Sequence, residues 1–217
     1  MHQDLLLIIQ ESLIDGEVEQ TVQLTRQALS EGIAPMVIIE EGLIPGMNVV
    51  GEKFSNGEFY LPNLIIAANA MKDAMTLLEP ELHARNQQIK SAGVVVIGTV
   101  QGDIHEIGKS LVGTMLSANG FKVFDLGVDV PVNRFVDVVR ETNANLLGLS
   151  ALLTTTMTNQ RAVIQRLIQE GLRDKVCVMV GGAPVTQSWA VEIGADGFAE
   201  DAMGAVTLAR KLVQSKG

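Results

Sequence analysis

Gly93-Val94-Val95-Val96-Ile97-Gly98-Thr99-Val100 runs through Gln101 directly into Gly102-Asp103-Ile104-His105-Glu106-Ile107-Gly108. The first stretch is short, β-branched and uncharged, the signature of a strand buried on both faces of a parallel sheet. The second opens with glycine and precedes an apolar helical pattern, so it is the loop that starts the next helix. An Asp and a His are thereby delivered to the carboxyl end of a strand, the edge at which open α/β sheets bind ligands. A His beside an Asp at such a place is a candidate metal ligand with the carboxylate that orients it. The competing reading makes Asp103 an ordinary helix cap.

Outward from this point the pattern repeats. Strands are expected at Gly93–Val100, Lys122–Leu126, Leu146–Ser150, Val176–Val180 and Gly197–Phe198. Helices are expected at Ile107–Ala118, Asn133–Thr142, Met157–Gly171, Trp189–Ile193 and Met203–Val213. Repeated βα units predict a flavodoxin-like, Rossmann-like parallel sheet with helices on both faces and right-handed crossovers. In the order 2-1-3-4-5 the switch point lies between strands one and three. That places the Asp103-His105 loop beside Ser150-Ala151-Leu152-Leu153-Thr154-Thr155-Thr156, where the hydroxyls either cap the next helix or meet a ligand. Gly181-Gly182 follows strand four on the same edge, as a plain turn or as backbone that clears space for a bulky ligand. Gly102 and Gly108 carry the same two readings. No GxGxxG follows strand one and no Walker loop is present, which disfavours nucleotides.

The chain before residue 86 is of another kind. Helical spacing covers Leu5–Ile14, Glu19–Leu29, Ala34–Val50 and Leu61–Leu78, predicting a four-helix bundle over residues 1–85. A polar segment from Glu79 to Ser91, with Pro80, then leads to the second module at residues 93–217, residues 86–92 being the linker proper. Residues 1–85 hold four Lys or Arg against thirteen Asp or Glu, whereas residues 86–217 hold twelve of each. An acidic first module is a poor nucleic-acid binder, because phosphate affinity rests on Lys and Arg. Of 217 residues none forms an apolar run near the length of about eighteen that a membrane span needs. The start lacks a basic signal-peptide region, so the expectation is a cytoplasmic protein without a membrane partner. The one cysteine, Cys177, and the pair Met71 and Met75 read as packing residues.

Asp-x-His-x-x-Gly after strand one, Ser-x-Leu after strand three and Gly-Gly after strand four together resemble the cobalamin-binding module. The segment from Glu41 to Phe54, followed by Phe59-Tyr60-Leu61-Pro62, is similar to the helical cap of methionine synthase. A cap plus this module and little else resembles the corrinoid proteins of anaerobic methyltransferase systems. The resemblance implies cobalamin as cofactor, cycling between Co(I) and methylated Co(III), with His105 as the lower axial ligand of cobalt. Asp103 would tune His105 through a hydrogen bond, and Thr156 stands where methionine synthase has the serine that ends this relay. Gly102, Ile104, Glu106, Ile107 and Gly108 complete the cofactor loop. Ser150, Leu152, Thr154, Gly181, Gly182 and Ala202 would line the nucleotide tail, and Phe54, Leu61 and Glu41 would meet the cofactor from the cap. The implied role is a non-catalytic methyl carrier. Its partners would be a substrate-specific methyltransferase, a second methyltransferase acting on tetrahydrofolate or coenzyme M, and a reductive activating protein. The segment Glu79–Ser91 would be the hinge between cap and module. The same module also occurs in cobalamin-dependent regulators and as the cobalamin subunit of adenosylcobalamin mutases. This chain has no basic helix-turn-helix, and its cap resembles the methyl-carrying class.

Overall fold

Apolar residues fill the sheet centre, valine and isoleucine in the first strand and leucine in the third, because side chains buried on both strand faces leave no solvent side for polar residues. The computed structural model describes residues 2–84 and 91–216. It divides into two compact units, Met1–Lys90 and Ser91–Gly217.

The second unit is a five-stranded parallel sheet in the order β2-β1-β3-β4-β5. The strands are β1 (Gly93–Thr99), β2 (Phe121–Asp125), β3 (Leu146–Ser150), β4 (Cys177–Gly181) and β5 (Gly197–Phe198). The strand order is the expected one, and no strand limit differs from the sequence expectation by more than one residue. Register pairs Thr99 with Ser150 and Ser150 with Gly181, so β1, β3 and β4 end level with one another. Helices α6 (Ile107–Ala118), α7 (Val132–Thr142), α8 (Thr158–Gln169), α9 (Gln187–Ile193) and α10 (Ala202–Lys216) connect and cover the sheet. The core is built from Val96, Leu147, Leu149, Val178 and Val180 with Phe135, Val139, Val163 and Leu167 of the helices. A Cβ at Gly98 would stand 2.6 Å from the Phe135 ring, so the glycine lets α7 close on β1. Cys177 is buried in β4, as a packing residue should be.

The first unit comprises α1 (His2–Ile14), α2 (Val18–Ser30), α3 (Pro35–Val37), a π-helical segment (Ile38–Leu43), α4 (Ile44–Ser55) and α5 (Leu61–Ala84). The single helix expected from Ala34 to Val50 therefore contains a π turn. Pro45 explains it: proline has no N–H and its ring crowds the carbonyl one turn back, so the ladder widens. The Ile44 N–H bonds to the Ile39 carbonyl, five residues back. Gly42 and Gly46 let α1 approach this helix, with Gln10 O 3.2 Å from where a Gly46 Cβ would stand.

The helix expected to stop at Leu78 instead continues to Ala84, with Pro80 inside it. Glu79–Ala84 is thus helix rather than linker, and the remaining linker positions 85–90 lie outside the described residues. Leu78 and Leu82, one turn apart, are both buried. Burying two leucines gains about 3–6 kcal/mol, which offsets the roughly 3 kcal/mol that an interior proline costs. Among the described residues no helix is long and apolar enough to cross a membrane.

Candidate functional site

The loop between β1 and α6 sets Asp103 beneath His105. Asp103 is fully buried, and its carboxylate accepts from every side. Oδ1 lies 2.7 Å from His105 Nδ1 and 3.1 Å from the His105 backbone N. Oδ2 lies 2.7 Å from Thr156 Oγ1, 2.7 Å from Leu152 N and 3.3 Å from Leu153 N. Burial alone would raise this carboxyl's pKa. The hydrogen bonds from the Thr156 hydroxyl, the Leu152 N–H and His105 outweigh it and hold the group well below the usual carboxylate range. An ionised carboxylate only accepts, so Nδ1 carries the imidazole proton and Nε2 of the neutral ring keeps its lone pair. The His105 side chain is 46% exposed.

Asp103 is not the cap of α6. That position belongs to Glu106, and no side chain caps it. The hydroxyl cluster is not a cap either: α8 begins after Met157 without a side-chain cap bond. Thr156 is instead buried and turned onto Asp103, so hydroxyl, carboxylate and imidazole form one hydrogen-bonded chain. Ser150 is half-buried at the end of β3, while Leu152 and Thr154 are exposed. Ile104 and Ile107 are 73% and 77% exposed, Leu152 and Leu153 about half that. The His105 loop therefore carries an apolar rim in the open. No atom comes within 4 Å of a Cβ placed on Gly108, which fits space left clear rather than close helix packing.

The strand expected to end at Val180 runs one residue further, so Gly181 closes β4 and Gly182 follows it, and the close approach at Gly182 is to the chain itself. Its φ is +121°, and a Cβ there would stand 1.8 Å from Ala151 O. Ala202 is buried at the start of α10. In the helical unit Glu41 is exposed on the π turn, Phe54 is half-buried near the end of α4, and Leu61 is exposed as the first residue of α5. Met71 is buried and Met75 half-buried along α5, consistent with packing.

Several contributors were not picked out from the sequence. Gln160 is fully buried and donates to Leu149 O at 3.0 Å and Gly181 O at 3.2 Å, tying together the ends of β3 and β4. Thr99 Oγ1 donates to His105 O at 2.9 Å, and Asn159 Nδ2 to Gln101 O at 2.7 Å. Leu153 joins the apolar rim. A polar residue on an amphipathic helix gives no local sign of what it bonds to across the sheet. Leu153 sat inside a segment already singled out for its hydroxyls.

The donor set fits a particular kind of metal group. Among the described residues no cluster of three or more His, Cys, Asp or Glu could hold a bare ion. A metal already held in a macrocycle needs one further protein ligand, an open apolar approach and a partner for that ligand's second nitrogen. His105, the isoleucine and leucine rim, and Asp103 could supply these in turn.

Comparison with known proteins agrees. Residues 93–207 match a B12 binding domain, and residues 8–79 match a second model, also described as a B12 binding domain. The chain is 47% identical over 204 residues to the trimethylamine corrinoid protein of Methanosarcina barkeri, covering 94% of each. It is 46% identical to dimethylamine corrinoid protein 2 of Methanosarcina acetivorans, covering 99% of this chain and 98% of the relative. Among solved structures it resembles the methanol:cobalamin methyltransferase complex MtaBC from Methanosarcina barkeri, with TM-score 0.85 and 31% identity. That match covers 97% of this chain and 80% of the other.

Proposed function

Because this chain belongs to the B12-binding corrinoid protein family, with cobalamin as its cofactor, we propose that it is the methyl carrier of a methyltransferase system. It would accept a methyl group from one methyltransferase and yield it to a second that acts on tetrahydrofolate or a thiol such as coenzyme M. The observation that carries this reading is the Asp103–His105 pair at 2.7 Å, with Nε2 free on a half-exposed ring.

Bound cobalamin would supply the cobalt on which a methyl group can be carried. His105 Nε2 would hold that metal. Asp103 keeps the Nδ1 proton in place and fixes the plane of the ring. Thr156, with the Leu152 N–H, keeps Asp103 ionised, so the carboxylate cannot draw the Nδ1 proton away for good. Ile104, Ile107, Leu152 and Leu153 would exclude water around the corrin. Ser150, Thr154, Gly181, Gly182 and Ala202 are proposed to line the nucleotide tail. Phe54, Leu61 and Glu41 are proposed as the helical unit's contacts to the cofactor.

The names of the relatives support a methylamine as methyl source, since identity to the di- and trimethylamine proteins exceeds that to the methanol complex. The test is reconstitution of the intact chain with hydroxocobalamin, removal of free corrinoid, reduction, and exposure to trimethylamine-, dimethylamine- or methanol-specific methyltransferase with its substrate. Retained corrinoid whose spectrum becomes that of the methylated form with an amine enzyme is the expected result. A chain that retains no corrinoid would contradict the carrier reading, and methylation by the methanol enzyme alone would contradict the amine assignment.

A further inference from the structure

Among the described residues, only Asp129 and Asn143 are non-glycine positions with positive φ, at 52° and 49°. Asn143 closes α7, a usual place for a left-handed residue. Asp129 is in the connection between β2 and α7, at no helix end, and a left-handed residue held at such a place calls for an explanation.

Its contacts supply one. Asp129 Oδ1 accepts from Gly102 N at 2.7 Å, across 27 residues of chain. The Asp129 N–H donates to Asp103 O at 2.8 Å. One residue thus grips both ends of the two-residue turn Gly102–Asp103, whose first member is itself left-handed at φ +81°. Val130, the next residue, bridges to Val100, directly after β1, and anchors the grip. In this left-handed conformation the backbone N–H of Asp129 and its carboxylate engage the same turn. A turn gripped at Gly102 N and Asp103 O has little freedom left at Asp103. The Asp103 side chain is what aims the His105 ring.

We propose that Asp129 is a positioning residue that sets the Gly102–Asp103 turn, and with it the direction of the His105 imidazole, before cofactor arrives. This rests on the reading of His105 as the cobalt ligand. It adds a residue from outside the Asp-x-His-x-x-Gly loop that acts on the ligand only through Asp103.

Three full-length chains test it: wild type, Asp129→Gly, which keeps the backbone conformation and removes the carboxylate, and Asp129→Asn, which keeps an acceptor oxygen. The first readout is amide hydrogen exchange at Gly102 in the cofactor-free chain. The second, after loading with hydroxocobalamin and reduction to Co(II), is the share of the electron paramagnetic resonance signal split by an axial histidine nitrogen, identified by its change when the histidines carry nitrogen-15. Asp129→Gly should speed Gly102 exchange about tenfold, as loss of a charge-assisted bond implies. It should lower the nitrogen-split share about threefold or more, in the manner of outer partners of metal ligands. Asp129→Asn should return both toward wild type. The proposal is overturned if Asp129→Gly leaves both readouts unchanged, or if it speeds exchange across the whole second unit rather than at this turn. A wild-type chain that retains no corrinoid would sink the functional reading instead, and Gly102 exchange in the cofactor-free chain would still decide whether Asp129 holds the turn.

Discussion

The His105 loop and the candidate residues of the helical unit differ in how far the chain alone completes them. In the loop the polar groups that orient the ring already have partners. Asp103 accepts from Thr156, Leu152 and His105, Thr99 holds the His105 carbonyl, and Asp129 holds Gly102. In the helical unit Leu61 and Glu41 are exposed, and nearby Tyr60 is 71% exposed. The difference is one of chemistry. A buried polar group without a partner costs about 1–3 kcal/mol, so polar chemistry has to be finished when the chain folds. An apolar contact to a ligand carries no such penalty and is made when the ligand comes.

If that contrast is right, substitutions in the loop should cost stability even without cofactor, and those in the helical unit should cost retention only. The largest effect is expected at Gly182, where a Cβ would meet Ala151 O at 1.8 Å with φ at +121°. Gly182→Ala should lose about 3–5 kcal/mol in urea unfolding of the cofactor-free chain, at the upper end for single substitutions. A smaller loss, about 2 kcal/mol, is expected for Asp103→Asn, which turns a donor toward groups that themselves donate.

The same residue gives the pH dependence its sign. Asp103 is held below its unfolded value of about 3.9. Its contribution is therefore whole above about pH 4 and is lost as pH falls through the folded pKa. Acid unfolding of Asp103→Asn should lack this component, which a comparison of melting curves between about pH 2 and 6 would show. Thr156→Val should cost about 1–2 kcal/mol by leaving one acceptor site of Asp103 unfilled, while Thr156→Ser should stay within about 0.5. The smallest effect on folding belongs to Leu61→Ala, within about 0.5 kcal/mol. That variant should nevertheless release corrinoid faster on gel filtration. Equal stability losses for Leu61→Ala and Asp103→Asn would break the contrast.

How legible each part was follows the same division. The sheet order could be read because buried parallel strands are uninterrupted apolar runs and the helices between them repeat at helical spacing. His105 and Asp103 could be read because a loop after strand one has few other uses for that pair. Thr156 was legible as a hydroxyl near the switch point, and the resemblance to methionine synthase implied its place beside Asp103, whereas spacing alone left capping of α8 equally open. Asp129 and Gln160 were invisible, since each acts on backbone atoms distant in sequence and no local pattern marks such a bond. The π turn was implicit in Pro45, yet a proline inside a helical pattern equally suits a kink. The extension of α5 past Pro80 was masked by polar neighbours, and the burial of Leu82 decides it.

The central claim is that the chain presents His105 Nε2 to cobalt on a ring already fixed by Asp103. The direct test is electron paramagnetic resonance of the Co(II) form after loading the intact chain with hydroxocobalamin, with its histidines at natural abundance, with its histidines labelled with nitrogen-15, and as the His105→Ala variant. We expect an axial-nitrogen splitting that changes with the label and vanishes in His105→Ala while corrinoid is still retained. A splitting that ignores the histidine label, or survives in His105→Ala, would mean that the cofactor keeps its own base and that His105 is not the ligand.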